Sequence, residues 1–488
     1  MGAWAGVLRD GRAWAACLAI SLWLVSTWLL NVTAYPSFND VFPLARDVAT
    51  VLGALLSLVL AWFALDRPRM LTGHALLVAA LVTCALATVG MFLGSQLGSP
   101  ALITAFSCLR CLAGSALSVY LVFTLMTLSA QASLAVLVGA YLLKYLWMAL
   151  LGLCPYTVRC VALGVTQVMS VAVLARLARP ALARVGAGPA ARGLMATNPL
   201  SFLPLTHWLF VAILLFEAAM GFAITYGSQA SYPRPTILAF GAFVLVTLVM
   251  LARGRTSLDA LYALAFGLVL AGILLIPSLS AARISGALPT LALAGSLSNA
   301  LLDAGPGVIG IAVWLLAGAL GRRNEAGALA VALTISAARG FGTELGAASG
   351  HLQNHLEATS PELAALFVAA LALGFALYNF ALARRFSFDA AVAEVRPAEP
   401  VAEVGEGDAR LAGIDRRCEE LAREHGLTAR EAEVLALLAR GRNAAYIQER
   451  LTISRNTVKS YVSRVYGKLG VHSHQEVIDL VEAPADDL

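Results

Sequence analysis

LTAREAEVLALLARG (427–441) and ISRNTVKSYVSRVYGKLG (453–470) are the segments whose reading settles how the C-terminal part of this 488-residue chain folds. Thr428 stands three residues before Glu431, the spacing of a capping box, and opens a helix whose apolar face is Val434, Leu435, Leu437 and Leu438. Gly441 stops that helix. Asn443 is placed to cap a short second helix through Tyr446, Ile447 and Leu451, and Ser454 to cap a third after a tight turn. Two short helices joined this closely make a helix-turn-helix. Gly470 closes the third helix, and Ser473 with Glu476 repeats the capping box for a fourth, which carries Val477, Ile478, Leu480 and Val481.

In the third helix Val458, Val462, Val465 and Leu469 form one stripe to bury. The residues left for solvent are Ser454, Arg455, Asn456, Thr457, Lys459, Ser460, Tyr461, Ser463, Arg464 and Lys468, a set suited to the phosphates and base edges of double-stranded DNA. The amides at the helix N-terminus add donors for phosphate oxygens. On charge alone a solvated helix face is the better reading, but three motifs in one register outweigh it: L-T-x-R-E-x-E-V-L at 427–435, I-S-x-N-T-V-K-S at 453–460 and K-L-G-V-H-S at 468–473. Together they resemble the LuxR/GerE family of helix-turn-helix regulators. That resemblance implies a four-helix DNA-binding domain whose third helix enters the major groove and whose two copies read a palindromic or direct-repeat promoter site. Three positions depart from the family pattern: Gln448 where a small Ala is usual, Tyr461 where His is common and His474 where Arg is common. Gln448 bears on packing between helices and Tyr461 on which bases are read. Eight Lys/Arg against six Asp/Glu between 426 and 483 leave the domain only slightly positive, so a homodimer on DNA is expected.

Upstream the composition changes. Residues 389–408 are acidic, contain Pro397 and Pro400 and show no apolar periodicity, which reads as a cytoplasmic linker; a connecting helix follows from Leu411 through Ile414, Cys418 and Leu421 to Gly426. The resulting division is a membrane domain at 1–385, linker and connecting helix at 386–422, and a DNA-binding domain at 423–488. The whole chain is 59% hydrophobic and 13% charged, against about 25% charged in soluble domains. Continuous runs rich in Leu, Ala and Val recur from Ala13 to Leu382, each long enough for a bilayer core of about 30 Å and too unbroken for barrel strands. Spans are expected near 13–35, 44–65, 71–94, 101–128, 131–153 and 156–176, then, beyond an arginine-bearing loop, near 206–226, 236–252, 258–279, 288–320, 326–350 and 361–384. The 288–320 segment reads as one broken or tilted helix, interrupted around Asp303, Gly305, Pro306 and Gly307. The expected fold is therefore all-α: about twelve spans, six and six, followed by the small four-helix domain.

Counted alternately, the loops on the N-terminal side hold Arg9, Arg12, Arg67, Arg69, Arg176, Arg179, Arg184, Arg192, Arg253, Arg255, Arg322, Arg323, Arg384 and Arg385. The opposite side holds Arg159, Arg234 and Arg283, with Arg46 at a margin. By the positive-inside rule both termini face the cytoplasm across a bacterial inner membrane, the side where DNA is. Six spans, a basic loop and six more spans resemble the major facilitator architecture, and Asp66-Arg67-Pro68-Arg69 resembles its loop signature without the glycine. That resemblance implies two six-helix halves around a central cavity near the bilayer midplane.

A charge within a span costs about 2.5–3.5 kcal/mol, so such residues turn inward and pair. The candidates are Arg110, Lys144, Glu217, Asp303, Arg339 and Glu344, of which Arg110, Glu217, Asp303, Arg339 and Glu344 are carried as candidate ligand-binding residues beside the alternative of structural ion pairs. Arg339 and Glu344, five apart on one helix, point about 140° from each other and are expected to find partners on other helices. His351, His355 and Glu357 read as a solvated loop rather than a metal site, and Cys108-x-x-Cys111 as small residues within a span. The seven cysteines imply no disulfide framework. No catalytic motif is present, and neither an enzyme activity nor a cofactor is expected. The sequence thus points to a membrane-bound, DNA-binding transcriptional regulator that senses a small molecule or an envelope condition. The rival is a transporter with an accessory DNA-binding tail; a weaker third reading has the tail bind another protein.

Overall fold

A computed structural model describes residues 10–188, 190–197, 201–204, 207–229, 241, 243–244, 257–276, 288–383, 387–395, 404–441, 444–451 and 453–482. All of the expected span at 236–252 except 241 and 243–244, the cap at Asn443, and Arg9, Arg234, Arg253, Arg255, Arg283, Arg384 and Arg385 lie outside the described residues. The chain divides into two compact units, 1–397 and 398–488.

The first unit is a bundle of α1 (Gly11–Leu29), α2 (Ala45–Asp66), α3 (His74–Gln96), α4 (Pro100–Met126), α5 (Ala130–Gly152), α6 (Tyr156–Ala187), α7 (Trp208–Gln229), α8 (Leu258–Leu274), α9 (Leu288–Arg323), α10 (Glu325–Thr359) and α11 (Pro361–Ala383). Among the described residues ten helices are long and apolar enough to cross a bilayer, and α8 is a shorter apolar helix of 17 residues, about 26 Å long. Their starts are written in side chains: Ser99, Ser129, Ser257 and Asn324 accept the backbone N–H three residues on, at Leu102, Ala132, Ala260 and Gly327. The 288–320 segment, expected as one broken or tilted helix, is one continuous 36-residue helix, α9, that carries Pro306 inside it. Helix α6 runs on to Ala187 through Pro180, shortening the central loop that the hydropathy pattern starts at 176. Helix α1 continues into a π-turn at Leu30–Ala34 and a 3-10 turn at Tyr35–Phe38.

Helices α7 and α10 lie backbone against backbone. A Cβ on Gly346 would fall onto the carbonyl oxygen of Ala218, one on Gly221 onto that of Thr343, and one on Gly342 onto that of Leu214. Glycine is required there because close approach of helices in a membrane depends on small residues. Among the described residues the loops that bear Arg69, Arg184, Arg192 and Arg322 meet at one end of the bundle. There Arg184 pairs with Glu325 at 2.6 Å, Arg192 with Asp66 at 2.9 Å, and Arg322 donates to the carbonyls of Leu125 and Leu128.

At that same end the acidic stretch expected to be pure linker contains a helix, α12 (Phe388–Glu394), with Phe388, Ala391 and Val395 buried. It is docked by reciprocal capping with α8. Asp389 accepts from the Ser257 hydroxyl and, at 3.1 Å, from the Leu258 N–H, while Asp259 accepts from the Ser387 hydroxyl at 2.5 Å and the Phe388 N–H at 2.6 Å. Arg323 holds the far end of α12 through the carbonyls of Ala393 and Val395.

The second unit comprises α13 (Val404–Glu424), α14 (Ala429–Ala439), α15 (Ala444–Leu451), α16 (Arg455–Leu469) and α17 (His474–Glu482). Helix α13 starts seven residues earlier than the sequence pattern places it, and its Cys418 and Leu421 join Val434, Leu435, Ile447, Val458, Val465 and Val477 in one core. Arg440 clamps α13 to α14 through both oxygens of Asp415, at 2.5 and 2.7 Å.

Candidate functional site

The capping box at the start of α14 is complete: the Thr428 hydroxyl accepts from the Glu431 N–H, and Glu431 accepts from the Thr428 N–H at 2.9 Å. Gly441 and Gly470 take φ of +71°, the left-handed backbone that ends a helix most easily at glycine. Ser454 caps α16 by accepting from the Thr457 N–H at 3.2 Å. Of the expected stripe, Val458, Val465 and Leu469 are buried and Val462 is half-buried against the same core.

Rotation along α16 sorts its polar residues into two groups. Asn456, Lys459, Ser460, Ser463 and Arg464 are exposed on one face, and Arg464 donates to Ser460 at 3.0 Å and lies 5.2 Å from the Tyr461 ring. The Arg455 side chain lies outside the described residues. Lys468 is turned to the flank, where its ammonium donates to Glu431 and to the Gly426 carbonyl, both at 2.8 Å. Its sequence position placed it with the DNA-facing set; in the structure it is committed to an internal ion pair. Glu431 is 2% exposed, and the hydrogen bond from Lys468, followed by that from the Thr428 N–H, pulls its carboxyl down to about 2. Gln448 points to solvent, so the departure at that position leaves the helix packing intact. His474 Nε2 meets the Leu438 carbonyl at 2.8 Å, closing the end of α14.

In the bundle, a cavity of about 270 Å³ lies between α1, α2, α4, α7 and α10, and Arg46, Arg110, Glu217 and Arg339 reach its wall. Arg339 Nε donates to Glu217 Oε1 at 2.6 Å, and its guanidinium lies 5.4 Å from the Trp314 ring. A smaller neighbouring cavity of about 100 Å³ shares Trp23 and Arg339 and is walled by Lys144 and Asp303. Lys144 stands 3.5 Å from Asp303, which also accepts from the Tyr145 hydroxyl at 2.8 Å. Arg110 donates to the Tyr35 hydroxyl at 3.3 Å. Glu344 stands apart from this group and feels the charges of Asp47, Arg46 and His351.

The Arg46–Asp47–His351 cluster escapes sequence reading: Asp47 pairs with Arg46 at 3.0 Å and with His351 Nε2 at 3.1 Å. Adjacent Arg and Asp at a span's first turn was its signal; the histidine, 304 residues away, gave none. His355 is exposed, Glu357 accepts from Tyr226 at 2.7 Å, and among the described residues no three metal-ligating side chains come together.

Residues 425–481 match the family described as bacterial regulatory proteins, luxR family. The transcriptional activator protein ExaE of Pseudomonas putida is 44% identical over 59 residues, 12% of this chain and 28% of that protein. The probable transcriptional regulatory protein SgaR of Hyphomicrobium methylovorum is 48% identical over 54 residues, 11% of this chain and 26% of that protein. The chain thus spans little more than a quarter of either regulator, in the tail alone. A major facilitator superfamily transporter, FucP, in its outward conformation, aligns over 75% of this chain and 98% of its own with a TM-score of 0.44 and 13% identity, too distant to bear on what the bundle binds or moves. The protein is a multi-pass membrane protein, all-helical among the described residues, whose residues 425–481 fold as a DNA-binding helix-turn-helix and match the luxR family of bacterial regulatory proteins.

Proposed function

We propose that this chain is a one-component transcriptional regulator of a bacterial inner membrane, with both termini in the cytoplasm, that senses a small molecule in its bundle and binds promoter DNA as a homodimer. The observation that carries the reading is the coexistence, in one chain, of a polar helix face in a luxR-family domain and a charged cavity inside a bundle of spans. Arg110, Glu217, Asp303 and Arg339 line the two adjoining cavities and form the sensing site; Glu344, outside them, does not. On DNA, Asn456, Lys459, Ser460, Ser463 and Arg464 face the major groove, with Thr457 and Tyr461 at the flank of that face. The meeting of the described arginine-bearing loops, those of Arg184, Arg192 and Arg322, at one end of the bundle supports the orientation.

The test is DNA binding by the full chain in lipid nanodiscs, using fragments of the host genome that it selects. Lys459→Ala with Arg464→Ala removes selective binding, and Lys459→Ala alone reduces the salt slope by about one unit if it neutralises one phosphate. Unchanged selection by the double variant overturns α16 as the reader.

A second reading, a transporter with an accessory tail, draws on the two cation–carboxylate pairs in the cavity walls, since proton relays in membranes use such carboxylates. Uptake by proteoliposomes holding the chain, lost in Asp303→Asn, would favour it over the sensor.

A further inference from the structure

Three guanidinium groups reach the larger cavity, and the chain neutralises two of them. Arg339 has Glu217 and Arg46 has Asp47. Arg110 has only the neutral hydroxyl of Tyr35, and its buried Nε meets no hydrogen-bond acceptor among the described residues. A carboxylate from elsewhere in the bundle is excluded by sequence: outside the described residues, positions 1–395 contain no Asp or Glu. A permanently charged group within a span is costly unless paired. The cavity therefore holds one positive charge that the bundle leaves unmatched.

We propose that this cavity binds a small soluble organic anion, whose carboxylate or phosphate is received by Arg110 beside Tyr35; the proposal rests on the cavity being the sensing site. Guanidinium receives such groups through two parallel hydrogen bonds, and Arg110 has the donors for it. Tyr35 is delivered by the point where α1 leaves regular geometry, between its π-turn and 3-10 turn, an irregularity frequent at functional sites. The rest of the wall mixes Trp23 with Thr27, Asn31, Ser57 and Ser115, which suits a compact body bearing polar substituents and not an acyl chain.

Thermal unfolding of the full chain in neutral detergent, followed by tryptophan fluorescence, tests this with acetate, succinate, phenylacetate and phenyl phosphate, against phenylacetamide as the uncharged counterpart and phosphatidylglycerol as a lipid source of the same phosphate. At least one soluble anion raises Tm and phenylacetamide does not. Arg110→Gln weakens that anion's apparent affinity by tenfold or more and leaves the ligand-free Tm equal or higher, since it removes an unmatched charge, while Arg110→Lys retains part of the response. If Arg110→Gln fails to fold, Tyr35→Phe serves instead, with a severalfold weaker anion response in a folded protein. Absence of a shift with every soluble anion, an equal shift with phenylacetamide, an unchanged response in both variants, or a shift with phosphatidylglycerol alone would each overturn the proposal. Because no DNA enters the measurement, anion binding without any transcriptional response would sink the sensor reading and leave the site standing.

Discussion

Leu153, Val89 and Leu366 of the bundle stand 88%, 69% and 66% exposed while Glu217 is 4% exposed; in the tail Val434 and Val465 are fully buried while Lys459 and Arg464 face outward. The two regions are inverted because their solvents differ, hydrocarbon around one and water around the other. Each nevertheless buries a carboxylate against cations: Glu217 with Arg339, and Glu431 with Lys468 at 2.8 Å and, more loosely, Arg464 at 3.9 Å. The difference lies in what happens when the pair is broken. Glu431 sits in the first turn of α14, where the Thr428 N–H already holds it at the positive end of the helix. Glu217 lies mid-span between helices that glycines hold in backbone contact, and has no such refuge.

The largest effect should come from the glycine seam. Gly346→Val places a side chain where the Ala218 carbonyl lies, and the overpacking, about 3 kcal/mol or more, cannot be absorbed by moving a flexible side chain. Fluorescence-detected size exclusion should show the loss of monodisperse protein, while hydrogen exchange in 427–441 stays at the parent rate. Protein recovered at normal yield would show that α7 and α10 are not so tightly joined.

Next comes the pair itself. Arg339→Gln or Glu217→Gln alone should cost about 3–5 kcal/mol, because each leaves a buried charge unmatched, and the double substitution should recover much of that loss. A thermal-stability cycle in detergent measures it. Additive losses would mean that Arg339 and Glu217 are not coupled.

The smallest effect belongs to the tail. The Glu431 carboxyl titrates near 2 in the folded domain and about 4.3 in an unfolded chain, so its contribution is complete above about pH 5 and is lost as the pH falls through 4 towards 2. Lys468→Ala should therefore speed hydrogen exchange in 427–441 at pH 7, and the difference from the parent should shrink in acid. A difference independent of pH would assign Lys468 a packing role through its methylenes instead.

What the sequence discloses follows from the range of the interaction. Thr428 with Glu431, Ser454 with Thr457 and the stops at Gly441 and Gly470 are contacts within one turn, and each is legible as spacing. Lys468 was legible as polar and outward, but its partner is 37 residues away, and a helical wheel gives a direction without saying what lies there. Glu217 and Arg339 are separated by 122 residues, and the expectation that each needs a partner is as far as one sequence goes. The same limit explains Arg110, whose importance rests on having no carboxylate partner among the described residues. Helix α12 was missed for another reason: seven residues give too little period to detect, although Ser387 as a cap and the spacing of Phe388, Ala391 and Val395 were there to be read.

The reciprocal capping of α8 and α12 carries a consequence for biogenesis. Ser257 and Asp389 are 132 residues apart, and a ribosome adding about 5–20 residues per second needs roughly 7–26 s to pass from one to the other. During that interval α8 is already in the membrane with the Leu258 amide lacking its permanent acceptor. The bundle is thus completed only once the chain beyond its last span has been made, so a nascent protein cut short at residue 384 would hold all its spans and still be unfinished. A genetic truncation or fusion meant to preserve the membrane half should keep the chain through Val395.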